Sequence, residues 1–469
     1  MPSITATASR ERKIIGLVIS GMGVATFLLA REVAGIWVAL GSCAVLVVSG
    51  LLVKRSCYLF NLRRGTITAF WYVTYLAMIF FPAFVVYSEQ GGPYRARFLF
   101  AVESVLITVP LGWLLASAWS RFRREEIDFF FEMPVENGAD DKLLLRRFWL
   151  FLAVCLGLTV AYVVEVQTIP LFYLLSNPGE VFQAAVAREE SLKLLDSPLT
   201  YFYYVARGLL YPILILIALG TYLRRRQTKW LLMLAVALCG GLFFASLSLA
   251  KAPVATIFLV VGIFFYLYNH GTLSKKAVII TLAFLLLFPL FVTLYEYSDE
   301  SVGPLVAIGA VGYRLFFIPA EVVYYYFEFF PHQVNYLHGR SIDKFARLMG
   351  EQPFDTPNAV GNYAAYEGIE SVSANGAFIC DMNADFGMWG VVLGGILAGV
   401  VMQATQILLL RRKKTVASLA CFAFLTVAFW FLNSTSLPVV LASDGVILSL
   451  LIMWYLDTSG HGARVVAEA

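Results

Sequence analysis

Between Ser298 and Asp385 the chain gathers side chains able to do chemistry, in a sequence that is otherwise a near-unbroken series of apolar segments. His338 lies beside Gly339 and Arg340 in the run HGRSIDKFARLMG. An imidazole titrating near about pH 6.5 can accept a proton from a hydroxyl, which makes His338 the first candidate for a general base; the alternative is a solvated loop histidine with no task. Arg314 leads an aromatic stretch, and with Arg188, Arg207, Lys251 and Arg340 it makes a set that can clamp a pyrophosphate. Arg presents a planar fork of donors and Lys a point charge. A sugar carried on such a group already has a good leaving group, and its departure needs mainly charge stabilisation.

Asp381 and Asp385, four apart at a predicted helix start, fall on one helix face. They can orient sugar hydroxyls, or simply cap the helix and pair with Arg. Tyr363 can stack on a sugar ring, although aromatic residues are also ordinary at membrane interfaces. Neither aspartate belongs to a metal motif by spacing, and no metal or cofactor is expected. The chain has no Walker loop, no GxGxxG after a strand, no HExxH and no basic run of nucleic-acid character. Its 6 cysteines show no CxxC spacing, which argues against a disulfide framework or a zinc site.

These residues must be positioned by membrane helices. Hydrophobic residues make up 60% of the chain and charged residues only 14%, and mean hydropathy is +0.76. That composition lies far outside soluble norms. Apolar runs recur at the length that crosses roughly 30 Å of hydrocarbon, which predicts an all-α polytopic integral membrane protein. Twelve spans are expected, at about 14–30, 33–53, 66–87, 98–120, 148–167, 200–222, 230–249, 252–269, 277–297, 386–410, 415–433 and 437–456. The whole chain, 1–469, reads as a single transmembrane domain.

Lys and Arg set the orientation, since cytoplasmic loops retain positive charge. With both termini inside, 24 of the 35 Lys and Arg fall on the inner side, and every short loop agrees. The apolar stretch at 310–330 would reverse this pattern if it crossed. It is therefore expected to be re-entrant or in-plane, interrupted by Pro319, with Arg314, Glu321 and Glu328 on one stripe. A thirteenth span is the alternative. Residues 121–147 read as a solvated cytoplasmic connector, 169–199 as a helix on the outer surface carrying Arg188, and 298–385 as one large outer loop. On this topology Glu103, Glu165, Arg207, Lys251 and Asp444 all sit in the outer half of the membrane. A channel or proton relay would spread such groups along the whole crossing, whereas a cavity open only outward suits an enzyme at that face.

Several stretches carry a resemblance: SLSLAK (246–251), YRLFFIPAEV (313–322), HGRS (338–341) before a Pro/Asn/Tyr-rich loop, and ADFGMWGVVLGG (384–395). Together they resemble the oligosaccharide repeat unit polymerases, the O-antigen polymerases of the Wzy type, related in outline to the O-antigen ligases. The similarity is clearest over 314–400; the first 165 residues share only hydropathy with that family. The resemblance implies a GT-C-like, metal-independent glycosyltransferase of the bacterial inner membrane, working at the periplasmic face. Its substrate would be an undecaprenyl-pyrophosphate-linked oligosaccharide, with the lipid bilayer and a chain-length regulator protein as partners and no nucleic acid. Arg188, Arg207, Lys251 and Arg314 would contact phosphate or sugar, with His338 and Arg340 in the outer loop. A ligase moving finished glycan to lipid A-core, and a lipid-linked oligosaccharide flippase, are the alternatives.

Overall fold

A computed structural model describes residues 21–56, 64–136, 141–177, 199–272, 303–365 and 373–457, with a few isolated positions between them. Among the described residues every regular element is a helix, and there is no strand. Ten helices among the described residues are long and apolar enough to cross a membrane: Ile36–Lys54, Ile67–Glu89, Arg95–Trp119, Lys142–Glu165, Leu199–Arg225, Thr228–Ser246, Lys251–Tyr268, Phe378–Leu410, Val416–Asn433 and Leu437–Leu456. Of the remaining expected spans, the first part of 14–30 lies outside the described residues, as does 277–297 apart from Ile279, Ala283 and Leu290, which are helical.

Proline explains two irregularities within these spans. A π-helical turn, Leu76–Phe80, precedes Pro82, and another, Ala206–Leu210, precedes Pro212. Proline has no N–H to give the preceding turn and its ring crowds the carbonyl four residues back, so the helix widens there instead of breaking. Pro319 has a stronger effect. The 310–330 stretch is two helices, Pro304–Phe316 and Ile318–Phe329, bent by 47° at Phe317. The single charged stripe expected of Arg314, Glu321 and Glu328 is therefore broken. Glu321 accepts hydrogen bonds from the Tyr313 and Tyr325 hydroxyls at 3.0 and 3.3 Å, while Arg314 is exposed.

The chain folds into two compact units of interleaved segments. The first comprises 1–127, 312–408 and 429–438; the second comprises 128–311, 409–428 and 439–469. In the first unit, Arg95–Trp119 packs on Phe378–Leu410 through glycine. A Cβ on Gly112 would lie 2.2 Å from the Ile396 carbonyl oxygen, and one on Gly399 would lie 2.2 Å from that of Val109. Gly395 and Gly399, four apart, are the small-residue pair that lets two helix backbones touch. Polar cross-links add specificity: Gln406 accepts from Thr68, Gln403 donates to Ser117 and Asn433 donates to Thr74.

In the second unit Leu199–Arg225 is the central helix. Its Tyr211 ring fits against Gly240 and Gly241, and its hydroxyl meets that of Thr159 at 3.0 Å. The 121–147 connector is not merely solvated, because Phe130 and Phe131 are fully buried. The buried Lys414 ammonium reaches the carbonyls of Phe131 and Met133 at 3.2 and 3.0 Å, so the connector's backbone holds a charge taken out of water. The predicted surface helix at 169–199 is described as a short helix, Pro170–Ser176, and at Gln183, Ala187 and Ser191, all helical.

Candidate functional site

Gly387 determines the local geometry. Its φ of 61° and ψ of −150° lie in a region essentially reserved for glycine, and they kink the helix Phe378–Leu410. The segment before the kink folds back over the turns after it, so a Cβ on Gly390 would lie 2.0 Å from the Met382 carbonyl oxygen. The final carbonyls of that first segment need donors from elsewhere. Leu337 N–H reaches Ala384 O at 2.9 Å and His338 N–H reaches Asp385 O at 3.1 Å. Two helices thus meet at Gly387: the long apolar one starts there, close to the expected 386, and 378–386 belongs to the same structure as the HGRS loop.

The HGRS loop is a tight turn held by one carboxylate. His338 and Gly339 both have positive φ, 53° and 98°. Asp385 Oδ1 accepts the N–H groups of Gly339 and Ser341 at 2.9 and 3.3 Å, and Oδ2 accepts the Ser341 hydroxyl. A carboxylate accepting several local donors fixes a turn that an unsupported left-handed histidine would not keep. Asp385 is therefore fully engaged by the protein and buried. His338 is exposed, its ring presented to solvent by the turn. Arg340 is half-exposed and sits 3.6 Å from Glu351, a surface pair worth little by itself.

Asp381 accepts the Thr356 hydroxyl at 2.8 Å, which ties it to the helix Thr356–Ala364. That helix carries Tyr363, whose ring lies against Phe329 at 5.3 Å. Burial raises the Tyr363 phenol above its ordinary range, so it acts as a neutral hydroxyl. The two aspartates share a segment as expected, but each is bound by a different partner, and neither forms an ion pair with Arg among the described residues.

Sequence reasoning missed Arg97, Tyr336 and Asn383. Arg97, in the first turn of Arg95–Trp119, donates from one terminal nitrogen to the Tyr336 hydroxyl (2.5 Å) and to Asn383 Oδ1 (2.9 Å). Its guanidinium carbon lies 5.8 Å from the centroids of both Phe327 and Tyr336. Gly387 packs on the Tyr336 ring, 2.9 Å from where its Cβ would stand. The available signal was the presence of Arg95 and Arg97 among the few cations that the charge pattern assigns to the outer side, and of Asn383 between Asp381 and Asp385.

His338, Arg340, Asp381, Asp385 and Tyr363 therefore all belong to the first unit, while Arg314, also of that unit, makes no polar contact among the described residues. Arg207 and Lys251 belong to the second unit. There Arg207 donates to Ser248 Oγ at 2.7 Å and lies 5.3 Å over the Tyr204 ring, in the π-helical turn. Ser248 is three residues before Lys251, which opens the next helix, so SLSLAK and Arg207 form one local cluster. Arg188 lies outside the described residues. No family model, curated protein or solved structure matches this chain.

Proposed function

We propose that the protein is a bacterial inner-membrane glycosyltransferase that polymerises undecaprenyl-pyrophosphate-linked oligosaccharide repeat units at the periplasmic face. In this reading twelve spans place both termini in the cytoplasm, and the 298–385 segment stands on the outer side with a chain-length regulator as its partner. The bond between the anomeric carbon of the growing glycan and the pyrophosphate breaks as a hydroxyl of the next lipid-linked unit attacks. The hydroxyl proton passes to His338, and undecaprenyl pyrophosphate departs with its negative charge met by Arg340 and Arg314. No metal is required, because arginine supplies the charge that a divalent ion would otherwise supply.

The observation that carries this reading is the clamped HGRS turn. Asp385 and the helix end at Gly387 hold an exposed imidazole and a neighbouring guanidinium on a rigid backbone, which is how a binding or catalytic group is pre-organised. Asp381 and Tyr363 sit on the adjoining helices, where they can orient sugar hydroxyls and stack on a ring. In the second unit Arg207 and Lys251 offer a further cationic cluster for phosphate. The test is incubation of purified protein with lipid-linked repeat units. A ladder of longer glycans on the carrier supports the reading. An unchanged substrate pool overturns it, and transfer of preformed polymer to lipid A-core assigns a ligase instead.

A further inference from the structure

Around Arg97 the donors outnumber the acceptors. Both of its hydrogen bonds leave from the same terminal nitrogen, and its Nε and other terminal nitrogen have no acceptor among the described residues. No carboxylate of the described residues comes within ion-pair distance of it, because Asp385 is held by the HGRS turn and Asp381 by Thr356. Asn383 is 0% exposed, and its Nδ2 has no hydrogen-bond partner among the described residues while its Oδ1 is taken by Arg97. Tyr336, accepting from Arg97, keeps its own hydroxyl proton to give. A buried amide nitrogen without an acceptor is costly, and so is a half-buried guanidinium without a counter-charge. One kind of group relieves both: an anion with several acceptor oxygens.

The geometry points to Arg97, Asn383 and Tyr336 as a binding site for a phosphate ester, delivered by a lipid. Arg97 lies in the first turn of a membrane-length helix, the depth at which a lipid phosphate meets protein. The flat guanidinium, 5.8 Å from the centroids of the Phe327 and Tyr336 rings, suits two-point contact with phosphate oxygens. The site rests on the glycosyltransferase reading only for the identity of the carrier.

Asn383→Asp is the decisive variant. It keeps an acceptor for Arg97, and so keeps the loop anchored, but replaces the donor nitrogen by a negative charge. Protein in phosphatidylcholine nanodiscs is titrated with farnesyl diphosphate and, separately, with farnesol. Binding of the diphosphate but not the alcohol, weakened about tenfold to a hundredfold in Asn383→Asp with unchanged thermal unfolding, is the expected result. Competition by inorganic pyrophosphate would show that the headgroup alone suffices; loss in the variant without such competition would show that the phosphate must come on a lipid. Equal binding by the variant, or no preference of the native protein for the diphosphate, overturns the site. Arg97→Lys, which keeps the charge and loses the fork, asks the same question if Asn383→Asp does not fold. Glycan extension by the native protein is measured in parallel. If extension occurs while Asn383→Asp binds normally, this site falls and the polymerase reading stands; if the site behaves as expected with no extension, the reverse holds.

Discussion

At the scale of single residues, the structural role of Asp385 and the proposed role of His338 separate by mutation. Asp385→Ala strips the acceptor from the Gly339 and Ser341 N–H groups. It is expected to destabilise the protein by about 2–4 kcal/mol, given roughly 1.5–3 kcal/mol for a hydrogen bond to a charged group and a cost for each orphaned buried donor. Asp385→Asn keeps one acceptor oxygen and should lose less. Thermal unfolding in detergent gives the order, and amide exchange over 337–342 should rise in the alanine variant first. His338 is the converse case, for its left-handed backbone costs a non-glycine residue about 1–2 kcal/mol. His338→Gly should therefore fold at least as well as the native protein while glycan extension falls on the order of a hundredfold, the usual contribution of a general base. Full activity in a well-folded His338→Gly would remove the imidazole from the chemistry.

At the scale of elements, glycines at different contacts predict opposite outcomes. Gly387→Ala forces a side chain into a glycine-only conformation and into the Tyr336 ring. Gly399→Ala pushes a methyl into the Val109 carbonyl where two spans touch. Both should destabilise by about 1–3 kcal/mol or more, through strain and overpacking. Gly157, in Asp141–Glu165, has nothing within 4 Å of a would-be Cβ. Gly157→Ala should be neutral or stabilising by about 0.5–1 kcal/mol, since glycine inside a helix loses more backbone entropy than alanine. Comparative unfolding temperatures of the three variants check the packing directly. The bend at Phe317 belongs to this scale as well: Pro319 withholds one N–H from the turn before it, and a stretch long enough to span becomes two shorter helices.

At the scale of the whole molecule, the proposed orientation follows from the placement of Lys and Arg and can be tested without any substrate. Cysteines introduced at Lys344 and Arg347, both on the helix Asp343–Leu348, should react with a membrane-impermeant maleimide added to intact spheroplasts, in a background without the native cysteines. Cysteines at Arg226 and Lys229 should react only after the membrane is opened. The opposite pattern would place the HGRS turn in the cytoplasm and end the proposed function along with the topology.

Hydropathy alone determined that the chain is a bundle of membrane-length helices, because the cost of exposing polar backbone to hydrocarbon leaves few other structures for apolar runs of that length. Residue type and local spacing also singled out the HGRS turn, Asp381 and Asp385. Only tertiary structure could say which donor each aspartate holds, since Asp385 meets Gly339 and Ser341 across more than forty residues of chain and Thr356 reaches Asp381 from a separate helix. The same holds for Arg97, whose partners Tyr336 and Asn383 lie over 230 residues away. The division into two units is likewise invisible in a linear reading, because each is assembled from separated segments. Hydrophobic periodicity reports how each helix meets its surroundings; which helices share a core depends on contacts such as Gly112 with Gly399, and these exist only once the chain has folded.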